Sequence, residues 1–146
     1  MTSSANSLYQ KTLLDHHKNP RNFGELERPD GSAEGSNPLC GDRFRVDVAL
    51  SEGRVQAVAF SGKGCAVARA AASIMTEVAL GKTPDELAEL HERFRQMVQS
   101  DPDSPVEEGL PELLVALSSL RRYPVRVPCA LFPWAALMEV VNHTER

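Results

Sequence analysis

The chain contains three cysteines and a nearby aspartate that could together hold a metal ion or react with sulfur. Cys40 and Asp42 flank Gly41, and an extended segment would project both side chains to one side, because side chains alternate along a strand. Cys65 follows a glycine-rich turn, and Cys129 lies far along the chain. Three thiolates and one carboxylate would complete a tetrahedral zinc site, and they also suit an iron–sulfur cluster. The residue types predict one metal centre and leave the metal open.

The surroundings of two of the cysteines favour the thiolate form. Cys65 precedes an alanine-rich stretch with helical spacing, so its sulfur would lie at the positive end of a helix dipole, close to Lys63. Cys129 is also expected immediately before a helix, with Arg126 three residues earlier. No C-x-x-C pair is present, and the wide spacing is equally typical of buried cysteines that serve as small hydrophobic residues. The spacing alone leaves both interpretations open.

The first half of the chain predicts a helix, a long loop and a β-hairpin. Ser7 is the expected cap of the first helix, which Asn19 and Pro20 end. Residues 20–39 are rich in turn-forming residues and predict a loop, in which a further strand could lie between residues 31 and 37. Alternating apolar residues predict antiparallel strands at 44–50 and 55–60, joined by a turn at Glu52 and Gly53.

The second half of the chain predicts four helices. The first spans residues 66–80, and Gly81 stops it. Thr83 and Glu86 form a capping box that begins the next, at residues 84–99. Further apolar periodicity predicts a helix around 110–117 and a last helix through 134–141, with Pro133 in its first turn. Residues 121–128 are expected to form an extended connector, because Pro124 and Pro128 restrict the residues before them.

The order of these elements predicts an α+β fold, in which helices pack on one face of a small antiparallel sheet. The 146 residues form one expected domain, 1–146, because this length suffices to bury a single core. Hydrophobic residues make up 42% of the chain and charged residues 25%, as in soluble globular proteins.

Charge and hydropathy exclude several classes of function. The net charge is −4 and the arginines are dispersed, so no basic patch predicts binding to nucleic acid. Residues 1–10 lack the basic start and apolar stretch of a secretory signal, and no later segment approaches the roughly 20 apolar residues of a membrane span. A cytoplasmic location is therefore expected, and the cysteines should remain reduced there.

The histidines are weaker candidates than the cysteines. His16 and His17 lie at the end of the first predicted helix and are expected to be solvated, while His91 and His143 are expected on the surface. The Gly-Lys-Gly turn before Cys65 lacks the spacing and the Lys-Ser/Thr ending of a phosphate-binding P-loop.

The motifs around these residues resemble those of the U-type (IscU/NifU N-terminal) iron–sulfur cluster assembly proteins. The resemblance covers nearly the whole chain and rests on DHHKNPRN at 15–22, NPLCGD at 37–42, GKGC at 62–65 and ASIMTE at 72–77. The helical stretch between Leu90 and Leu120 and the YPVRV sequence at 123–127 are similar to the SufU branch rather than the IscU branch. The resemblance implies a SufE/NifU-like fold.

The resemblance also implies roles for individual residues. Cys40, Asp42, Cys65 and Cys129 would bind zinc, and Arg126 would be a functional residue beside them. A SufS-like cysteine desulfurase would be the partner whose persulfide sulfur this protein accepts, and other iron–sulfur assembly proteins would act downstream. Two departures concern partner binding rather than the ligands. Pro128 stands where this branch usually has lysine, and a segment containing Arg69 replaces a serine-rich turn.

The function that follows is a zinc-dependent sulfurtransferase in which Cys40 leaves the metal to accept sulfur, because Cys40 lies in a loop beside Gly41. The alternative is a scaffold on which an iron–sulfur cluster is assembled and transferred, with the same residues as ligands. Two further classes are a cysteine hydrolase, which would need a histidine beside its nucleophile, and a metal-free interaction module.

Overall fold

The computed structural model describes residues 2–144, and it describes side chains from Tyr9 onward. Within these residues, five α-helices and three strands follow one another. Their bounds are α1 Thr2–Lys18, β1 Gly31–Asn37, β2 Asp42–Ser51, β3 Arg54–Lys63, α2 Ala66–Ala79, α3 Pro84–Val98, α4 Glu112–Val115 and α5 Val127–His143. Two 3-10 helices, Ala116–Arg122 and Pro124–Arg126, connect α4 to α5.

The three strands form one antiparallel sheet in the order β1-β2-β3. The hairpin between β2 and β3 turns at Glu52 and Gly53, which have φ angles of 53° and 77°. Positive φ at both central residues matches the right-handed twist of a hairpin, as the sequence predicts. Strand β1 confirms the further strand expected between residues 31 and 37, and it pairs with residues 42–48 of β2.

The helices cover one face of the sheet, which confirms the α+β prediction. Phe44, Val46 and Val48 of β2 are fully buried on that face, where α5 packs against β1 and β2, whereas Arg43 points to solvent on the other. The Phe44 ring stacks on Phe132 of α5, with 5.4 Å between the ring centroids. Helix α2 packs between α1 and α5. This arrangement brings the start of α5 close to the end of β1 and the start of β2.

Local sequence signals set several helix boundaries correctly. Thr83 caps α3, and both hydrogen bonds of the predicted capping box are present, between Thr83 and Glu86. Helix α2 begins after Cys65 as expected, and Leu80 closes it.

Other predicted boundaries were wrong. Helix α1 begins at Thr2, so Ser7 lies inside it rather than capping it, since several Ser and Thr residues at this end could serve as a start. Residues 121–128 are not extended, because Pro124 and Pro128 occupy first-turn positions of helices, where a fixed φ favours helix. Pro133 lies in the interior of α5, where it leaves the carbonyl of Cys129 without a helical hydrogen bond.

Helix α5 also corrects the expectation about apolar segments. Residues Pro124–His143 are long enough and apolar enough to cross a membrane, with a mean hydropathy of 1.3. Inside the fold 61% of the apolar 18-residue window in that segment is buried, as is typical of the core helix of a soluble protein.

Candidate metal centre

The turn between β1 and β2 presents Cys40 to solvent. The backbone carbonyl of Asn37 accepts hydrogen bonds from the backbone N–H of Cys40, at 3.1 Å, and of Gly41, at 2.9 Å. Gly41 has a φ of 73°, a left-handed conformation that few other residues adopt. Since Cys40 is exposed, a partner molecule can reach its thiol from outside.

Asp42 begins β2 and is buried, with 6% of its surface exposed. Its Oδ1 accepts a hydrogen bond from the backbone N–H of Cys65 at 3.1 Å. Its Oδ2 is buried and has no hydrogen-bond partner in the part of the chain that the structure describes. A buried carboxylate oxygen without a partner is costly unless a cation or donor satisfies it, so Asp42 is well suited to ligate a metal.

Cys65 is the N-cap of α2, as the sequence predicts. Its Sγ accepts a hydrogen bond from the backbone N–H of Ala68 at 3.4 Å. Gly62, just before it, has a φ of 129°, and a side chain there would overlap the carbonyl oxygen of Arg43. The glycine-rich turn therefore allows β3 to run close to β2 and still deliver Cys65 to the end of the sheet.

Cys129 differs from its predicted position. It lies inside the first turn of α5 rather than before the helix, and only 2% of its surface is exposed. Burial, together with the neighbouring Cys65 and Cys40, raises the pKa of Cys129 to about 12. The positive charge of Arg126 was expected to favour the Cys129 thiolate. Loss of solvent and the adjacent thiols outweigh that effect and favour the protonated thiol.

Three potential ligand atoms gather at this point. The Sγ atoms of Cys40 and Cys129 and a carboxylate oxygen of Asp42 all lie within 4.8 Å of one another. Cys65 is outside this group, but its thiol contributes to the raised pKa of Cys129. Ligand atoms bound to one tetrahedral zinc lie roughly 3.8 Å apart, so the three gathered atoms are close to the spacing that one cation requires.

The alternative of buried cysteines used as hydrophobic residues applies to Cys129 alone. Cys40 is exposed, and Cys65 is half-buried at the edge of the core, so neither is enclosed in the core as Cys129 is. Among the described residues, the cluster of possible ligands around Cys40 contains no histidine. The histidine that a cysteine hydrolase would need is therefore not part of this group.

Arg126 lies close to this region but on the surface. It is exposed at the end of the second 3-10 helix. Burial raises the pKa of Tyr9. The neighbouring Tyr123 and Cys65 raise this pKa further, whereas the positive charge of Arg126 lowers it. Arg126 and Cys65 therefore both lie within electrostatic range of the Tyr9 hydroxyl.

The two departures from the SufU pattern have distinct settings. Pro128 takes the second position of α5, directly before Cys129. Arg69, one turn after Cys65, places its guanidinium 4.7 Å from the centre of the Phe23 ring.

The sequence prediction missed Asn37, a buried residue whose side-chain amide contacts two thiols. Its Nδ2 donates to Cys40 Sγ at 3.7 Å and to Cys129 Sγ at 3.6 Å. The only signal in the sequence was an asparagine at the start of a Pro-containing turn, where such residues commonly bond to nearby backbone.

Two predictions about histidines were wrong. His16 is buried, with 2% of its surface exposed, and its Nδ1 lies 2.7 Å from Ser73 Oγ. Its burial results from the packing of α1 on α2, which helical spacing within α1 alone did not reveal. His91 is half-buried and stacks on Trp134 with 5.8 Å between ring centroids, whereas His143 is exposed as expected.

Residues 8–129 match the family model of the NifU-like N-terminal domain. The chain belongs to this family. The resemblance to U-type proteins is thus confirmed over most of the chain. In the same family, the zinc-dependent sulfurtransferase SufU of Bacillus subtilis (strain 168) is 34% identical, over 99% of this chain and 98% of that relative. The iron–sulfur cluster assembly scaffold protein IscU of Streptococcus pyogenes serotype M1 is 32% identical, over 97% of this chain and 87% of that relative.

Solved structures of the NifU-like family share the fold. A putative scaffold protein for the SUF system from Fervidobacterium islandicum AW-1 superposes with a TM-score of 0.82 at 27% identity, over 92% of this chain and 97% of that one. A NifU-like N-terminal protein from Brucella abortus superposes with a TM-score of 0.77 at 26% identity, over 92% of each chain.

Proposed function

We propose that this protein is an iron–sulfur cluster assembly protein that accepts persulfide sulfur from a SufS-like cysteine desulfurase. Cys40, Asp42, Cys65 and Cys129 would hold a zinc ion. The observation that carries the proposal is the meeting of two thiols and the Asp42 carboxylate within 4.8 Å, together with a buried oxygen of Asp42 that has no hydrogen-bond partner among the described residues. The similarity to the Bacillus subtilis SufU, which extends over nearly the full length of both chains, supports the same function.

Zinc bound here would keep the thiols deprotonated. It would also order the end of β1 and the starts of β2 and α5 around them. The side chains themselves determine which thiol reacts. Cys40 is exposed in a turn, whereas Cys129 is almost completely buried and Cys65 is held by the N–H of Ala68. Cys40 is therefore the thiol that a large donor protein can reach.

The reaction at Cys40 is a thiol–persulfide exchange. The Cys40 thiolate attacks the terminal sulfur of the persulfide on the desulfurase, and a new S–S bond forms at Cys40. The S–S bond of the donor breaks, and its cysteine leaves as a thiolate. The sulfur atom changes carrier, and no external oxidant or reductant is required. Other assembly proteins would then receive the sulfur from Cys40.

The test is to locate the persulfide after incubation with a desulfurase and cysteine. We expect the peptide that contains Cys40 to become one sulfur atom heavier by mass spectrometry, while peptides that contain Cys65 and Cys129 stay unchanged. Cys40→Ala should then accept no sulfur, and Cys65→Ala should still form a persulfide at Cys40. Transfer to Cys40→Ala at the wild-type rate would contradict the assignment of Cys40.

Arg126 is proposed to assist this transfer from the surface, by stabilising negative charge as the Cys40 thiolate meets the donor. A matched control is Arg122, which is also exposed and ends the first 3-10 helix as Arg126 ends the second, but is paired with Asp103. We expect Arg126→Ala to lower the rate of persulfide transfer and Arg122→Ala to leave it near the wild-type value. Equal rates in the two variants would remove Arg126 from the mechanism.

A scaffold function is the second candidate, because the same thiols and carboxylate could ligate a cluster and because the Streptococcus pyogenes relative is named a scaffold. Metal analysis of protein purified without oxygen separates the two functions. Colourless protein with one zinc per chain supports sulfur transfer. Brown protein with iron and sulfide supports a scaffold that carries the cluster as cargo. Either function would be expected in the cytoplasm.

A further inference from the structure

Asn37 uses both ends of its side-chain amide at the proposed metal centre. Only 4% of its surface is exposed, although asparagine is usually found on the surface. Its Nδ2 donates to the sulfur atoms of Cys40 and Cys129, at 3.7 Å and 3.6 Å. Its Oδ1 accepts a hydrogen bond from the backbone N–H of Leu39 at 3.3 Å. A single buried side chain therefore connects two thiols and the turn that presents one of them.

The backbone of Asn37 holds the same turn. Its carbonyl oxygen accepts hydrogen bonds from the N–H groups of Cys40 and Gly41. The residue thus fixes the conformation of the segment between β1 and β2 with its main chain and its side chain together. Because Cys129 lies on α5, the Nδ2 contact also joins this turn to an element 92 residues away in the chain.

The three thiols do not share the same hydrogen-bond donor. Cys65 accepts from the backbone N–H of Ala68 at the start of α2, whereas Cys40 and Cys129 share the Asn37 amide. Donors to a thiolate ligand reduce the charge that the sulfur gives to a metal and orient its lone pairs. A change in the Asn37 amide would therefore affect the sulfur atoms of Cys40 and Cys129 and leave the donor to Cys65 in place.

We propose that Asn37 is a positioning residue that holds Cys40 close to Cys129 and sets how readily the Cys40 thiolate dissociates from a bound metal ion. The proposal rests on the proposed function only in that these thiolates bind a metal, and it applies to sulfur transfer and scaffolding alike. It assigns Asn37 no contact with the sulfur donor. Its effect reaches the chemistry through the two sulfur atoms that its amide contacts.

The test compares Asn37→Ser with wild-type protein and with a matched control, Asn22→Asp. Serine can still accept the hydrogen bond from the N–H of Leu39, but its hydroxyl is shorter than the amide by one bond and should not reach both sulfurs. Asn22→Asp likewise removes an amide donor, which in the wild type bonds to Thr76 at 3.0 Å, away from the thiols. Both variants are purified as full chains and loaded with zinc or cobalt.

Two measurements read the role of Asn37 without any activity assay. Transfer of zinc to a chromophoric chelator should be about tenfold faster in Asn37→Ser than in the wild type and in Asn22→Asp, as for loss of other partners of metal ligands. In the cobalt form, the sulfur-to-cobalt charge-transfer band should move to lower energy, because thiolates that lose a donor give charge to the metal more easily. A purely structural role would not move that band.

Wild-type rates and an unmoved band in Asn37→Ser would overturn the inference while leaving the metal centre in place. Wild-type protein that retains neither zinc nor cobalt would overturn the metal centre, and the inference with it. If Asn37→Ser does not fold, Asn37→Asp is measured in the same way, since it keeps the shape and the acceptor of the turn but has no N–H. An unmoved cobalt band in that variant would equally overturn the inference.

Discussion

Asp42 and Cys65 are joined by a hydrogen bond of 3.1 Å, from the backbone N–H of Cys65 to Oδ1 of Asp42. The bond orients the carboxylate, whose other oxygen is buried and bonded to none of the described residues. It also connects the start of β2 to the start of α2, where the NPLCGD and GKGC motifs end. A carboxylate held in this way is pre-oriented for a cation before any cation binds.

Replacing Asp42 tests whether its free oxygen serves a metal. Asp42→Asn keeps an oxygen that can accept from Cys65, but it replaces the unpartnered oxygen with an N–H donor that cannot ligate zinc. We expect zinc affinity, measured by competition with a chelator, to fall at least about tenfold. The control is Asp103→Asn, which changes an exposed carboxylate that is paired with Arg122 on the surface. Equal zinc affinities in the two variants would contradict a ligand role for Asp42.

The raised pKa of Cys129 leads us to expect that zinc binding releases a proton from this thiol. Its pKa is raised to about 12 by burial and by the adjacent thiols, so the metal-free protein carries this thiol protonated at neutral pH. Zinc binds the thiolate, so the proton must leave, and zinc affinity should rise with pH. Calorimetric titrations in two buffers with different ionisation enthalpies count the released protons. Cys129→Ala should release about one fewer than the wild type, and an unchanged count would contradict this assignment.

Local chemistry made much of the fold predictable. The β2–β3 hairpin and the Thr83 capping box follow from residues adjacent in sequence, and both are present. The errors arose where one residue type permits two structures. Pro124 and Pro128 can interrupt a helix or begin one. Both begin helices here, where α5 packs on the sheet.

The site shows the same division. Residue type led to the prediction of Cys40, Asp42, Cys65 and Cys129, since thiols and a carboxylate are natural ligands of zinc, and the structure gathers ligand atoms of Cys40, Asp42 and Cys129 within 4.8 Å. The burial of Cys129 and its contact with Asn37 could not be predicted, because they depend on how α5 lies across the ends of β1 and β2. His16 was misjudged for the same reason, since its neighbour Ser73 lies 57 residues further on.

Gly62 predicts a steric requirement at the end of β3. It has a φ of 129°, and an added Cβ would overlap the carbonyl oxygen of Arg43 on the neighbouring strand. Gly62→Ala should lower the free energy of unfolding by at least about 3 kcal/mol, because backbone strain and the overlap act together. Gly81→Ala is the control, since Gly81 has a φ of 81° but open space around its Cα, and it should cost only about 1–2 kcal/mol. Denaturant unfolding of the metal-free proteins measures both, and equal losses would show that the close approach to Arg43 imposes no cost.

His16 predicts a loss of stability in mild acid. Burial lowers the pKa of His16 below its ordinary value of 6.5, although Glu77 opposes the shift. The backbone N–H of Arg21 donates to Ser73 Oγ, so the Ser73 hydroxyl can donate to Nδ1 of a neutral His16. A base with a lowered pKa in the folded state takes up its proton more readily when the protein unfolds. The stabilisation from neutral His16 is therefore complete above pH 6.5 and is lost as the pH falls below it.

The neighbouring His17 provides the control for this prediction, because it is exposed at the next position of α1. Melting temperatures are measured between about pH 7.5 and about pH 5.5, a range in which free histidine changes its charge and free carboxylates do not. We expect the wild type and His17→Asn to lose stability over this range to the same extent. His16→Asn should be less stable at the upper pH but should depend less on pH, with His91, whose pKa burial also lowers, contributing equally in all three proteins. A pH dependence in His16→Asn as steep as in the wild type would show that protonation of His16 does not oppose folding.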